Sequence, residues 1–160
     1  FDGSVKGWTG LGTGVSPQRL KNKISIIETG LKLHGKKFDC VYEILSAFAG
    51  REMAAIAGSV IAARVFGIPV LLDGFISTVS GAVLTLFKRD ILDHCLISHM
   101  SSEPGHKGII SSLKKETVLD LNMGLGEASG GALAALVIRG ALATHNKMAT
   151  FTDAGVSKKI

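Results

Sequence analysis

A single carboxylate stands among glycines in residues 120–131, which read DLNMGLGEASGG. This acid is Glu127, and a long apolar run, ALAALVIRGALA, follows it at residues 132–143. The glycines leave room for a flat ligand, and Met123 and Leu125 would add apolar walls. A carboxylate held against apolar groups accepts protons more readily than one in water, which suits a general base. The alternative is that Glu127 is a favourable charge in the first turn of a helix. The residues alone do not separate these two interpretations.

The stretch SHMSSEPGH, residues 98–106, joins the end of a predicted strand to the start of a predicted helix. Ser101 and Ser102 supply hydroxyl groups, and the backbone N–H groups that follow point outward at the positive end of the helix. Such an arrangement binds phosphate well. The alternative is ordinary capping of the helix by the side chain of Ser102, which is a common role for serine.

Two other features carry weaker signals. The residues His94, Cys95, His99 and His106 invite a metal site, but their spacing fits no standard zinc pattern, so we expect neither a metal nor a cofactor. The segment GWTGLGTGVS, residues 7–16, resembles a phosphate-binding glycine loop, yet no strand demonstrably precedes it. Its glycines would equally allow the backbone to pass close to another part of the site.

Hydrophobic periodicity predicts the elements that must position these groups. Apolar residues recur at helical spacing, or fill short runs bounded by glycine and proline, and predict helices at 16–34, 39–48, 51–66, 75–88, 104–114 and 127–145 and buried strands at 69–73 and 94–100. This alternation predicts a single α/β domain over residues 1–160, with three layers and a mainly parallel, Rossmann-like sheet that has helices on both faces.

In such sheets, ligands bind outside the carboxyl ends of the strands. That rule selects three places: Asp73-Gly74, Ser98 to His106, and Gly124 to Gly131. The sequence therefore predicts that the serine-rich loop and the Glu127 segment lie at the same edge of the sheet.

Composition restricts the classes of function. The chain has 160 residues, of which 46% are hydrophobic and 19% charged, with a mean hydropathy of +0.36; a disordered protein would be less hydrophobic and more charged. The apolar stretch 54–87 is interrupted by Arg64, Pro69 and Asp73, so we expect no membrane span. With no targeting segment in view, we expect a cytoplasmic protein.

The net charge of +5 and the pI of about 9.4 admit an anionic partner. The basic residues are dispersed as pairs, however, and only 6% of residues are aromatic, whereas nucleic-acid binding needs clustered Lys/Arg and aromatic rings that stack on bases. We therefore expect no nucleic-acid partner, and a small anionic substrate is the better use of the charge.

Several stretches together resemble one family. The segments LGTGVS, PVLLDGF, SHMSSEPGH, LNMGLGEASGGALA and MATFTDAGVS are similar, in this order, to the C-terminal half of nicotinate-nucleotide–dimethylbenzimidazole phosphoribosyltransferase. The resemblance covers essentially the whole chain. It implies transfer of phosphoribose from nicotinate mononucleotide to 5,6-dimethylbenzimidazole, giving α-ribazole 5′-phosphate and nicotinate, a step in making the lower ligand of cobalamin. It also implies a homodimer.

The resemblance assigns roles to individual residues. The catalytic base of the family, the Glu of its LGExSG motif, falls on Glu127. Ser101, Ser102 and Gly105 match the loop that lies near the phosphate, and Leu125 matches the wall of the benzimidazole pocket. Asp73, at a strand end before Gly74, would meet the ribose or orient a neighbouring group.

One motif of the family is missing from this sequence. The upstream half of the family carries a phosphate motif, MGIGNTT, and much of the aromatic-base pocket, and nothing like MGIGNTT occurs here. We therefore expect this chain to be the C-terminal part of a longer phosphoribosyltransferase, with the sheet and the Glu127 site present but incomplete. The alternative from another class is a noncatalytic α/β module that binds a nucleotide or a partner and is inactive on its own.

Overall fold

The computed structural model describes residues 3–12, 16–35, 38 and 40–157. Its elements in chain order are helices α1 (Val5–Trp8), α2 (Pro17–His34), α3 (Val41–Phe48) and α4 (Arg51–Val65), strand β1 (Val70–Leu72), helix α5 (Gly74–Ala82), strand β2 (Cys95–Ser101), helix α6 (Pro104–Leu113), strand β3 (Thr117–Met123) and helix α7 (Ser129–Lys147). A 3-10 turn, Val83–Leu86, continues α5.

The three strands form one parallel sheet in the order β1-β2-β3. Val70 lies opposite Cys95, and Ile97 lies opposite Thr117. The ladder is irregular at the carboxyl end of β2, where Ser101 comes to lie opposite Met123. The α/β architecture with a parallel sheet and surrounding helices, predicted from the alternation of elements, is confirmed.

The helices cover the sheet as its connections require. Because β–α–β crossovers are right-handed, α5 and α6 lie on the same face, and they contact each other as well as β2. Helix α7 contacts all three strands. One buried cluster joins α4 to the sheet through residues such as Val60, Leu72 and Cys95, and a second is built around Ile97 and Ile110. Each fully buried aliphatic side chain contributes roughly 1.5–3 kcal/mol to stability.

Most predicted elements agree with the structure to within one or two residues, and the differences have physical causes. The helix predicted at 39–48 begins at Val41, with residue 39 outside the described ranges. The helix predicted at 75–88 ends at Ala82 and tightens into the 3-10 turn. Strand β3 and the single turn α1 were not predicted. β3 lies at the sheet edge and is half exposed, so it lacks the apolar run that marks a buried strand.

Within the described ranges, no helix combines the length and the apolar character needed to cross a membrane.

Gly105 is placed where a side chain cannot fit. A Cβ atom there would lie 2.8 Å from Cζ of Phe75 and 2.8 Å from Cε3 of Trp8. We expect Gly105→Ala to lower the free energy of unfolding by about 1–3 kcal/mol, the usual cost of overpacking. Urea denaturation measures this change.

The control is Gly58→Ala, because a Cβ at Gly58 on α4 meets no atom within 4 Å. Alanine is the better helix former, so that variant is expected to gain about 0.5–1 kcal/mol. Equal stability of the two variants would contradict the packing argument.

Candidate active site

A cleft of about 870 Å³ opens at the carboxyl ends of the strands. Its volume is within the roughly 300–1,000 Å³ typical of small-molecule sites. All three segments selected from the sequence contribute to its lining, with Asp73 and Gly74 after β1, His99 and Ser101 to Glu103 at the end of β2, and Gly124 and Gly126 after β3. The structure therefore brings these segments together.

The serines of the loop after β2 have separate contacts. The hydroxyl of Ser101 accepts a hydrogen bond from the N–H of Glu103 at 3.2 Å. The N–H of Ser102 donates to the carbonyl of Met123 at 3.2 Å, and its side chain is exposed in the cleft. The residue at the N-cap of α6 is Glu103, and it makes no side-chain capping bond. The interpretation of Ser102 as an ordinary helix cap is therefore wrong.

Gly105 lies below this loop, away from the cleft lining. It is buried in the first turn of α6, against Trp8 and Phe75. That packing accounts for the missing side chain, and its contact with a phosphate stays a prediction.

Asp73 connects β1 to α7. One carboxylate oxygen, Oδ1, accepts a hydrogen bond from the N–H of Gly131 at 2.6 Å, across 58 positions of sequence. Helix α7 has Ala128 at its N-cap, and that residue makes no side-chain capping bond. Asp73 therefore supplies the acceptor that the N-terminus of α7 needs, and its negative charge is favourable at that end of the helix dipole.

Glu127 follows Gly126, which lines the cleft, and lies outside the helix. It has φ 58°, between Gly126 at 83° and Ala128 at 57°, and α7 begins only at Ser129 with no acidic residue in its first turn. The expectation that Glu127 opens the helix is therefore wrong by two residues, because these left-handed residues form a turn. Glu127 is therefore not a charge in the first turn of α7, as the alternative interpretation required, and the role of base stays a prediction.

The predicted apolar wall is not assembled around Glu127 by the described residues. Glu127 is exposed, and Leu125 is 70% exposed. The cleft lining includes their neighbours Gly124 and Gly126 but neither of these two side chains. The contact of Leu125 with a benzimidazole therefore also stays a prediction.

Two histidines that the sequence suggested only as metal ligands form part of the site's framework. The ring of His99 lies between the starts of α5 and α7, and a Cβ at Gly130 would overlap it. Its Nδ1 is 3.0 Å from the hydroxyl of Ser98 and 3.5 Å from Oδ1 of Asp73. Among the described residues, no set of three potential metal ligands converges.

His106 is fully buried and has a partner at each ring nitrogen. The N–H of Ser101 donates to Nδ1 at 2.9 Å, and Nε2 lies 3.0 Å from the hydroxyl of Thr78. Burial is the largest cause that lowers the pKa of His106 to about 4; the nearby His99 contributes to the lowering, and Asp73 opposes it. The ring is therefore neutral at physiological pH.

Lys23 and the backbone of Gly10 to Gly12 complete the cleft, and sequence reasoning missed the lysine. Its Nζ donates to the carbonyl of Gly10 at 3.1 Å. Its position in the helix could have indicated a role in the site, because Lys23 lies on the same face of α2 as Leu20 and Ile27, where an apolar residue is expected. A cation at that position brings positive charge to the cleft.

Comparison with known proteins identifies the family. A family model described as "Phosphoribosyltransferase" matches residues 1–156. The chain belongs to this family. A relative from Rhizobium leguminosarum bv. trifolii, named nicotinate-nucleotide–dimethylbenzimidazole phosphoribosyltransferase, is 46% identical over 159 residues. A relative of the same name from Methylorubrum extorquens is also 46% identical, over 160 residues.

The chain spans about half the length of these relatives. The match to the Rhizobium protein covers 99% of this chain and 47% of the relative, in its C-terminal half. The match to the Methylorubrum protein likewise covers 99% of this chain and 47% of the relative. The crystal structure of CobT from Thermus thermophilus matches with a TM-score of 0.86 and 32% identity over 97% of this chain and 46% of that one. The fold is therefore shared with that structure over nearly the whole of this chain.

The depressed pKa of His106 predicts a specific pH dependence of stability. The unfolded chain gains a proton on this residue near pH 6.5, whereas the folded chain does so only near pH 4. Acidification from pH 6.5 to 4 should therefore cost about 3 kcal/mol through this group. Urea unfolding at several pH values in this window, compared with His106→Asn, isolates the contribution. Equal pH slopes in the two proteins would contradict it.

Proposed function

We propose that this chain carries the base and part of the phosphate site of a nicotinate-nucleotide–dimethylbenzimidazole phosphoribosyltransferase. The observation that supports the proposal is that Gly126, the residue directly before Glu127, lines the cleft, in a chain that matches the family model over residues 1–156. Phosphoribose would pass from nicotinate mononucleotide to 5,6-dimethylbenzimidazole, giving α-ribazole 5′-phosphate and nicotinate.

The cleft suits an anionic substrate. Helices α5 and α6 both begin at the carboxyl edge of the sheet, and neither has a capping bond from its own N-cap side chain. The positive ends of helix dipoles favour phosphate. Lys23 adds a cation, and the exposed hydroxyl of Ser102 adds a donor. We assign the phosphate of nicotinate mononucleotide to the side of the cleft formed by Ser101 and Ser102.

The chemistry requires one proton acceptor. Glu127 would take the N–H proton of the benzimidazole while the other ring nitrogen attacks C1′ of the ribose. The new C–N bond forms on the face opposite nicotinate, the old C–N bond breaks, and its electron pair leaves on the pyridine nitrogen. The configuration at C1′ changes from β to α. The glycines on either side of Leu125 leave space for a flat base to approach this carboxylate.

Asp73 is assigned a positioning role in this reaction. Its hydrogen bond to Gly131 fixes the start of α7, and the Glu127 turn leads directly into that helix. Of the two roles considered for Asp73, orienting a neighbouring group is the one with a contact to support it.

A noncatalytic α/β module that binds a nucleotide or a partner is the second candidate. The exposure of Glu127 and Leu125 favours it for this chain taken by itself, because a base works best where water is excluded. We expect the 160-residue chain alone to give little or no turnover. We also propose that the complete enzyme is a homodimer, which sedimentation would test.

A chimera tests the proposal. The part of the Rhizobium relative that precedes its matched region is placed ahead of this chain, and turnover of nicotinate mononucleotide with dimethylbenzimidazole is followed by chromatography and by NMR of the product anomer. Glu127→Gln keeps the size of the side chain and removes the base, so we expect kcat to fall by about 10²–10⁴-fold.

The matched control is Glu28→Gln, which removes an exposed carboxylate on α2 outside the cleft lining and should leave kcat unchanged. Near-normal activity of Glu127→Gln would rule out Glu127 as the base. A chimera that binds nicotinate mononucleotide without turning it over would favour the noncatalytic module.

A further inference from the structure

His106 links two cleft-lining segments through a chain of hydrogen bonds with a defined direction. The N–H of Ser101 can only donate, so Nδ1 of His106 must be its unprotonated acceptor. The neutral ring then carries its proton on Nε2 and donates to the hydroxyl of Thr78 at 3.0 Å. That hydroxyl donates in turn to the carbonyl of Gly74 at 2.6 Å. The backbone after β1 and the loop after β2 are thereby joined by one buried imidazole.

We propose that His106 is a positioning residue that fixes the loop Ser101–Glu103 in the geometry that binds the substrate phosphate; the inference rests on the proposed function for the identity of that substrate. The bond to the N–H of Ser101 determines where the backbone turns, two residues before the N-cap of α6. The hydroxyl of Ser101, which accepts from Glu103, and the exposed hydroxyl of Ser102 are carried on that turn.

The competing explanation is that His106 only fills space. Its ring packs near Phe75, with ring centroids 5.9 Å apart, and near His99, at 6.5 Å. An apolar residue would fill that space equally well, but it would leave the N–H of Ser101 without an acceptor in a partly buried loop. Because a buried donor is seldom left unpaired, the contact at Nδ1 has a purpose beyond packing.

Two substitutions distinguish the contact at Nδ1 from the contact at Nε2. In His106→Asn the amide oxygen can take the place of Nδ1, which preserves the contact with Ser101 and loses the one with Thr78. In His106→Gln the amide nitrogen can take the place of Nε2, which preserves the contact with Thr78 and loses the one with Ser101. Both variants remove the ring, and Asn, which is one methylene shorter than Gln, leaves the larger void, so a purely packing role predicts the larger effect for His106→Asn.

The chain itself provides the first measurement. Amide hydrogen exchange of Ser101 is expected to be about tenfold or more faster in His106→Gln than in His106→Asn, because only the Asn variant retains an acceptor for this N–H. NMR of the wild-type ring nitrogens adds a test without mutation, with Nε2 protonated and Nδ1 bare. A proton on Nδ1, or equal exchange in the two variants, would overturn the proposal.

The chimera provides the second measurement. KM for nicotinate mononucleotide should be about tenfold higher in His106→Gln than in His106→Asn, with kcat values that differ much less, since roughly 1.4 kcal/mol corresponds to a factor of ten. Equal KM values would overturn the substrate-positioning role. If the wild-type chimera neither binds nor converts this nucleotide while the exchange asymmetry persists, the proposed function fails and the structural part of this inference stands.

Discussion

The hydrogen bond from the N–H of Gly131 to the carboxylate of Asp73, at 2.6 Å, is the contact on which the site depends. It joins the end of the first strand to the start of the last helix, and the chain between these two points contains every other strand and crossover of the sheet. Because Ala128 offers no side-chain acceptor, the N-terminus of α7 would otherwise lack a cap. The position of the start of α7 at the carboxyl edge thus depends on one carboxylate acceptor at the end of β1.

The polar groups beside Asp73 make that charge tolerable. Asp73 is partly buried, and its Oδ1 also lies 3.5 Å from the hydroxyl of Ser98 and from Nδ1 of His99. A buried carboxylate needs such polar partners, because leaving it unpaired in a low-dielectric interior is costly. The ring of His99 reaches this position only because Gly130 has no side chain. Gly130 is therefore required because the imidazole of His99 occupies the space that a side chain would fill.

The sequence predicts the location of the site better than its internal contacts. Asp73, Ser101 and Ser102 follow from the rule that ligands bind beyond the carboxyl ends of parallel strands, since that rule needs only the approximate strand positions. Lys23, Gly10 and the partners of His106 cannot be predicted from that rule, because each contact joins segments that are far apart in sequence.

Strand β3 was not predicted, because Asp120 and Asn122 interrupt its apolar pattern at an exposed edge of the sheet. The reason for Gly10 is likewise invisible in the sequence. A Cβ atom at that position would overlap the side chain of Glu103, which is 93 residues further along the chain.

The backbone at Glu127 is the strongest local argument that this residue has a function. Left-handed conformations cost L-residues roughly 1–2 kcal/mol each, and only glycine adopts them freely. Glu127 and Ala128 both adopt one, directly after Gly126. The turn is closed by a hydrogen bond from the N–H of Ser129 to the carbonyl of Gly126 at 3.1 Å, and α7 continues from it without an acidic residue in its first turn. A glycine at position 127 would satisfy the same turn with less strain. Strain of this kind is found at functional sites, and Gly126, at the start of this turn, lines the cleft together with Asp73, Ser101 and Ser102.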